Sequence, residues 1–290
     1  GLSESTMKVL IVGSNGMLGN ELFLRYGFSN HKVVGLDHNS LDITNSSTTL
    51  DRIAAERPDW VILTAAYTKV DECEKKRDRA WAVNAEGTLN VAKACRLISS
   101  RLCFISTDYI FNGNNSGPYS EEDIPDPINY YAVTKLAGEN YARKELSDCL
   151  IVRTSWLFGS RGRNFVNTIL EKAQIGDSLK VVSDQIGAPT YTKDLADIIF
   201  CLLDNHVRGI VNVTNDGYCS WFDFAKTILA TARKFDIEIL PITSDSLNLS
   251  AKRPPNSRLD LTKLHQIIGK NMRSWKDALE DFIKEIPDGK

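Results

Sequence analysis

Tyr131 and Lys135 stand four residues apart in NYYAVTKLAGE, downstream of Ser106-Thr107-Asp108, and that spacing describes a group able to protonate a carbonyl. A phenol with its ordinary pKa of about 10 is a poor acid-base catalyst at neutral pH unless a neighbouring ammonium stabilises its phenolate. On a helix, positions four apart share a face, so Lys135 can supply that charge to Tyr131. Tyr130 has Thr134 at the same offset and lacks such a partner. Thr107 follows the apolar run Leu102-Cys-Phe-Ile-Ser106, at the carboxyl end of an expected strand, where its hydroxyl can hydrogen-bond a substrate carbonyl. The catalytic candidates are Thr107, Tyr131 and Lys135.

These groups need elements to hold them beside a hydride source. Lys8-Val-Leu-Ile-Val12 is a β-branched run of the kind buried in a parallel sheet, and it enters GSNGMLG and then the helix-forming Asn20-Glu-Leu-Phe-Leu-Arg25. Gly13, Gly16 and Gly19 allow a tight turn and close approach to a pyrophosphate, whose charge free amides at the helix start can meet. The GxxGxxG spacing differs from the GxGxxG dinucleotide fingerprint and is similar to that of short-chain dehydrogenases. A second apolar run, Lys32-Val-Val-Gly-Leu36, ends in Asp37, whose carboxylate can accept the adenosine ribose hydroxyls of NAD and would repel the extra phosphate of NADP. Asp37 therefore favours NADH, although His38 beside it could meet a phosphate. Trp60-Val-Ile-Leu-Thr-Ala-Ala66 reads as a buried strand whose small residues Ala65 and Ala66 leave room for a nucleotide.

Alternating strands and helices predict an α/β fold, a Rossmann-like doubly wound parallel sheet. The NAD(P)-binding domain is expected over 7–155. A smaller interleaved α+β substrate domain is expected over most of 156–290, with segments around 179–204 returning to the cofactor domain. The pattern predicts one helix from Asp78 to Ile98, a strand from Val152 to Phe158, and helices over Asn164–Ala173, Asp194–Leu203, Ser220–Phe235 and Lys276–Ile286. Gly1–Thr6 reads as foreign to the natural chain, with Met7 as its start.

The 290 residues are 42% hydrophobic, enough for a large core, and the formal charge of −2 provides no basic face for nucleic acid. No run approaches the roughly 20 apolar residues of a membrane span, and no signal peptide precedes Met7, so a cytoplasmic protein is expected. The six cysteines are scattered without a CxxC pair, and the four histidines do not cluster, which predicts reduced thiols and no metal.

GSNGMLG, Ser106-Thr-Asp-Tyr-Ile-Phe111, Tyr131-Ala-Val-Thr-Lys-Leu-Ala-Gly-Glu139, Arg153-Thr-Ser-Trp-Leu-Phe-Gly159, Ser183-Asp-Gln-Ile-Gly-Ala-Pro-Thr190 and Arg253-Pro-Pro-Asn-Ser-Arg-Leu-Asp260 occur in that order. Taken together, over nearly the whole chain, they resemble the dTDP-4-dehydrorhamnose reductases, which are extended short-chain dehydrogenases. The resemblance implies reduction of the 4-keto group of dTDP-4-dehydro-L-rhamnose by NADH or NADPH, with Tyr131 giving the proton, Thr107 polarising the carbonyl, and Lys135 lowering the tyrosine pKa and holding the nicotinamide ribose. It further implies that Gly13, Asn15, Gly16, Met17, Leu18, Gly19, Asp37, Asp42, Ile43, Ala65, Ala66, Tyr67 and Thr68 line the cofactor. By the same likeness Asp108, Trp156 and Gln185 meet the sugar nucleotide, Arg253 and Arg258 its diphosphate, and two copies form a homodimer. Met17 departs from the Gln usual in that family.

Two other readings remain open. The regulatory subunit of methionine adenosyltransferase shares the fold and an RPxN stretch but acts as a binding partner, and nucleotide-sugar epimerases or dehydratases recycle a tightly held cofactor. Stoichiometric loss of NADH absorbance on adding a 4-keto sugar nucleotide separates the three.

Overall fold

The computed structural model describes residues 6–287, so of the expected foreign segment only Thr6 lies within the described residues. Its first half runs β1 (Lys8–Val12), α1 (Met17–Gly27), β2 (Lys32–Leu36), α2 (Ser46–Glu56), β3 (Trp60–Leu63), α3 (Val70–Lys75), α4 (Arg77–Trp81), α5 (Gly87–Leu97), β4 (Arg101–Thr107), α6 (Tyr130–Glu145) and β5 (Leu150–Thr154). Then follow β6 (Leu157–Phe158), α7 (Phe165–Ile175), β7 (Leu179–Val182), β8 (Ile186–Gly187), β9 (Thr190–Tyr191), α8 (Thr192–Asp204), β10 (Gly209–Asn212), β11 (Cys219–Ser220), α9 (Trp221–Thr231), β12 (Ile239–Ile242), α10 (Thr262–Ile268) and α11 (Trp275–Glu285).

Six strands form a sheet in the order β10-β5-β4-β3-β1-β2, and every pairing in it is parallel. The runs read as strands are apolar throughout because both faces are covered, and successive residues serve opposite cores. Val9, Ile11, Ile62, Cys103, Ile105 and Val152 pack with Leu18, Leu22 and Tyr26 of α1 and with Leu195, Ile199, Leu202 and Leu203 of α8. Leu10, Val12, Val61, Leu63, Leu102, Phe104 and Ile151 pack on the other face with Ile53 of α2, Val91 and Cys95 of α5 and Ala142 of α6. From β1 the chain goes outward to β2 and returns to β3 on the other flank of β1. That reversal opens a crevice at the carboxyl ends of β1 and β3, where α/β sheets hold ligands.

A second body gathers around Phe158, Tyr191, Phe224, Trp275 and Phe282, with α7, α9 and α11 on two-stranded ribbons: β7 beside β12, β8 beside β11 and β6 beside β9. The chain between the two bodies is woven. After β7, β8 and β9 it re-enters the first core as α8, then adds β10 to the edge of the main sheet beside β5.

Four expected elements differ, two only in length: the strand read over Trp60–Ala66 ends at Leu63, and the helix expected over Ser220–Phe235 ends at Thr231. The helix expected from Asp78 to Ile98 contains a π-helical turn over Ala82–Glu86, between α4 and α5. The strand expected from Val152 to Phe158 stops at Thr154, because Trp156 takes a left-handed backbone with φ of +47° and sends β6 to pair with β9 instead. A bulky side chain in that region is strained and must be held by its surroundings.

Among the described residues no helix is long and apolar enough to cross a membrane, and no three His, Cys, Asp or Glu side chains gather as a metal site. All six cysteines are free thiols, and all but Cys201 are buried.

Candidate active site

At the switch point lies a crevice of about 870 Å³. Its floor is the turn between β1 and α1. Gly13 has φ of +95°, and a Cβ there would stand 2.6 Å from the Ala65 amide nitrogen; at Gly19 it would stand 2.0 Å from the Gly13 carbonyl oxygen. The glycines thus let the turn, α1 and the end of β3 touch backbone to backbone. Gly16 caps α1 with no side-chain hydrogen bond, and the first helical turn carries no acidic residue, so its amides face the crevice with their partial positive charge uncompensated. This is a fitting cradle for a dinucleotide's pyrophosphate. Arg161, in the loop after β6, donates from Nε to the Asn15 carbonyl at 3.1 Å and so ties the second body across the turn.

The crevice brings together every residue expected to line a cofactor, from Gly13, Asn15, Gly16, Met17, Leu18 and Gly19, through Asp37, Asp42 and Ile43, to Ala65, Ala66, Tyr67 and Thr68. Asp37 accepts hydrogen bonds from the Ser40 amide at 2.9 Å and the Ser40 hydroxyl at 3.0 Å, which hold its carboxyl below the usual range and keep it charged. Asn84 in the π turn accepts from the Tyr67 amide at 2.8 Å and donates to the Thr134 hydroxyl of α6 at 3.0 Å. It locks the loop after β3 to the helix carrying Tyr131. A lone amide inside the apolar Ala82-Val-Asn-Ala85 was the visible signal for it.

Thr107, Asp108, Tyr131, Lys135 and Trp156 line the same cavity. Asn129 caps α6 by accepting from the Ala132 amide at 2.9 Å, which fixes where the helix begins and hence where Tyr131 points. Lys135 Nζ donates to the Ile105 carbonyl at 2.7 Å, and burial pushes its ammonium down to about 8, opposed by Glu139. Burial, and then the Asp108 carboxylate, raise the Tyr131 phenol well above its usual value, while the Thr107 hydroxyl pulls it back. Lys135 thus meets the strand carbonyl and is not among the groups acting on the Tyr131 phenol, which is raised by burial where the spacing predicts that the ammonium lowers it; the phenol stays protonated.

Asp108 is fully enclosed. Thr107 Oγ1 donates to its Oδ1 at 3.2 Å, Oδ2 has no hydrogen-bond partner, and burial pushes its pKa up to about 7 against the Ser257 and Thr107 hydroxyls. A carboxyl whose folded pKa lies above its ordinary value of about 3.9 stabilises the fold fully only below that ordinary value, and the contribution is lost as pH rises through about 7. The loss is at most about 4 kcal/mol at 1.36 kcal/mol per pKa unit. Asp108→Asn should therefore melt higher than the parent at pH 8, with the gap shrinking by pH 5; scanning calorimetry at both pH values tests this, and an equal gap would refute it.

Trp156 is 9% exposed and stacks on Trp221 with centroids 3.6 Å apart, while its buried Nε1 lacks a partner. His38, weighed in the sequence as a phosphate contact, lines the cavity, as do Trp221, Phe165, Arg79 and Arg163, none of which the sequence reading singled out. Their signal was absent because they come from elements whose return to the crevice is a tertiary event.

Three expected substrate residues stand outside the cavity lining. Gln185 accepts from Trp221 Nε1 at 3.1 Å and donates to the Ser244 hydroxyl at 2.9 Å, so it braces the aromatic wall from behind. Arg253 forms a two-pronged pair with Asp71 of α3 at 2.7 and 2.8 Å. Arg258 donates to the Asn256 side chain at 2.9 Å and the Ser116 carbonyl at 2.7 Å. Both guanidinium groups are engaged in holding loops.

The sequence profile described as RmlD substrate binding domain matches residues 7–287. The chain belongs to that family. It is 37% identical over 278 residues to a Bacillus subtilis spore coat polysaccharide biosynthesis protein, covering 96% of this chain and 97% of the relative. It is 38% identical over 288 residues to the dTDP-4-dehydrorhamnose reductase of Aggregatibacter actinomycetemcomitans, covering 95% and 98%. Among solved structures, a Bacillus anthracis dTDP-4-dehydrorhamnose reductase in complex with NADP superposes with a TM-score of 0.93 at 39% identity, covering 97% of this chain and all of that one. The RmlD family membership agrees with the doubly wound sheet; four of the motifs quoted from the sequence contribute residues to the crevice, Gln185 braces its aromatic wall, and Arg253 and Arg258 hold loops outside its lining.

Proposed function

We propose that this chain is an NAD(P)H-dependent nucleotide-sugar reductase that converts dTDP-4-dehydro-L-rhamnose to dTDP-L-rhamnose, with Tyr131 as proton donor. The observation that carries the reading is that the glycine turn, Asp37 and the Thr107, Tyr131 and Lys135 triad share a single cavity. The names of the full-length relatives support the substrate.

The bound dinucleotide supplies the hydride. The chain's own part is to present Thr107 Oγ1 and the Tyr131 hydroxyl to the keto oxygen, and to move the tyrosine proton onto that oxygen as it becomes an alcohol. Lys135, charged at neutral pH, stabilises the phenolate left behind and stands ready for a ribose hydroxyl. Trp156, with Trp221 stacked on it, offers a flat wall to the sugar. The charged carboxylate of Asp37 favours NADH. The related Bacillus anthracis enzyme holds NADP, however, so both dinucleotides are taken as donors.

Purified protein mixed with NADH or NADPH and dTDP-4-dehydro-L-rhamnose should consume one dinucleotide per sugar, read as absorbance at 340 nm. Turnover without net loss of absorbance would point to an epimerase or dehydratase, and no turnover with either donor would overturn the reading.

A further inference from the structure

Beneath the reacting side chains lies a buried ionic cluster that the proposed reaction leaves without a task. Glu139 and Arg153 are each 1% exposed. Arg153 donates to Glu139 from Nε at 3.1 Å and from its terminal nitrogen at 2.7 Å, and the Ser106 hydroxyl donates to the same carboxylate at 2.5 Å. Glu139 and Ser106 each stand beside a candidate catalytic group on the same element, and Arg153 pairs with both of them. Glu139 lies one helical turn beyond Lys135 on α6; Ser106 precedes Thr107 on β4; Arg153 precedes Thr154 on β5, where Ser106 pairs with Arg153 in register and Thr107 with Thr154. The cluster therefore binds together the helix and the two strand ends that frame the cavity.

A buried ion pair is a poor way to gain stability alone, since apolar side chains of similar volume serve as well or better. Its charge is the distinguishing property. We propose that Glu139, anchored by Arg153 and Ser106, is a positioning residue for Lys135, fixing α6 against the end of β4 and setting a buried carboxylate one helical turn from the ammonium. This rests on the reading of Tyr131 and Lys135 as the proton-transfer pair.

The surroundings of Lys135 offer few other sources of that charge. Its Nζ lies 4.3 Å above the Phe104 ring of β4 and donates to a neutral carbonyl. The π turn and α5 present neutral Asn84 and Thr88 toward this part of α6. Asp108 and Tyr109 on the turn after β4 and Cys73 on α3 act on the Tyr131 phenol, whereas the charge that acts on Lys135 is that of Glu139. Arg153 is positive and opposes the ammonium. Burial lowers Lys135 to about 8, and Glu139 is the group that resists the fall. Without it the amine would be left to burial alone and would titrate lower.

The test is a nuclear magnetic resonance titration of the side chain in carbon-13 lysine-labelled protein, with Lys135→Arg used only to assign the signal. In Glu139→Gln the Lys135 midpoint should fall by about half a pH unit or more, and the alkaline limb of the kcat profile should fall with it. Glu139→Asp, which keeps the charge, should return the midpoint toward the parent value. An unmoved midpoint in Glu139→Gln, even with reduced kcat or melting temperature, would show a purely structural role and overturn the proposal. Should Glu139→Gln not fold, the double variant Glu139→Gln with Arg153→Gln is read against Arg153→Gln alone, and the downward shift is required between those two, since they differ only in the Glu139 charge. The titration needs no substrate, so it gives its answer even if the chain fails to reduce the proposed sugar.

Discussion

Replacing Tyr131 by Phe is expected to lower kcat by about 100- to 10,000-fold, the usual worth of a positioned general acid, with KM for the dinucleotide little changed. The change deletes one oxygen from a side chain that is 9% exposed and leaves the ring in contact with the Cys73 and Ala80 cluster, so folding is preserved. The adjacent Tyr130 supplies the control. It sits one position away on α6, with its amide bonded to Glu74 and the Arg77 guanidinium 4.5 Å over its ring, and it is absent from the cavity wall. Tyr130→Phe should keep nearly full activity. Single-turnover absorbance decay at 340 nm for both variants distinguishes the two tyrosines, and a Tyr131→Phe enzyme with parent-like turnover would remove the central chemical assignment.

The second large effect belongs to the phosphate turn. Gly13→Ala must hold a methyl at φ of +95° within 2.5 Å of Thr64 Oγ1 and 2.6 Å of the Ala65 nitrogen, and Gly19→Ala must hold one 2.0 Å from a backbone oxygen. A left-handed alanine costs roughly 1–2 kcal/mol, and forcing a methyl into a filled site costs about 1–3 kcal/mol more. Chemical denaturation should show Gly13→Ala less stable by about 2–5 kcal/mol by combining those two costs. Fluorescence titration should show dinucleotide affinity reduced by more than about tenfold, the equivalent of 1.4 kcal/mol. Gly27 at the far end of α1 has nothing within 4 Å of its would-be Cβ, so Gly27→Ala should leave binding unchanged. Equal behaviour of the Gly13 and Gly27 variants would mean that the close backbone approach is unimportant.

The cofactor half of the site was legible because its determinants are local. A β-branched run, three glycines at fixed spacing and an amphipathic helix specify their own geometry over about 20 residues, and Tyr131 and Lys135 share a helix face by arithmetic alone. The sugar half was far less legible. Asp71 and Arg253 are 182 positions apart, and nothing in either flanking sequence says that the arginine's fork is occupied by a carboxylate rather than free for a diphosphate. Gln185 was visible as part of a motif, but its orientation toward Trp221 and Ser244 depends on the pairing of β7 with β12 across 60 positions. The break at Trp156 carries no glycine or proline to announce it. The strain is borne by the stack on Trp221, which is a tertiary contact. The π turn is silent for the same reason, since Ala82-Val-Asn-Ala-Glu86 has ordinary helical composition.

The return of the chain through α8 and β10 bears on how the molecule could be cut or copied. A fragment ending near Ser155 would expose β5 as a bare rim of unpaired amides and carbonyls and strip the oily side of α1 of its cover. Such a rim is a template for another molecule's strand. Premature termination in the middle of this chain would leave a sticky precursor of aggregates in place of a smaller nucleotide-binding protein.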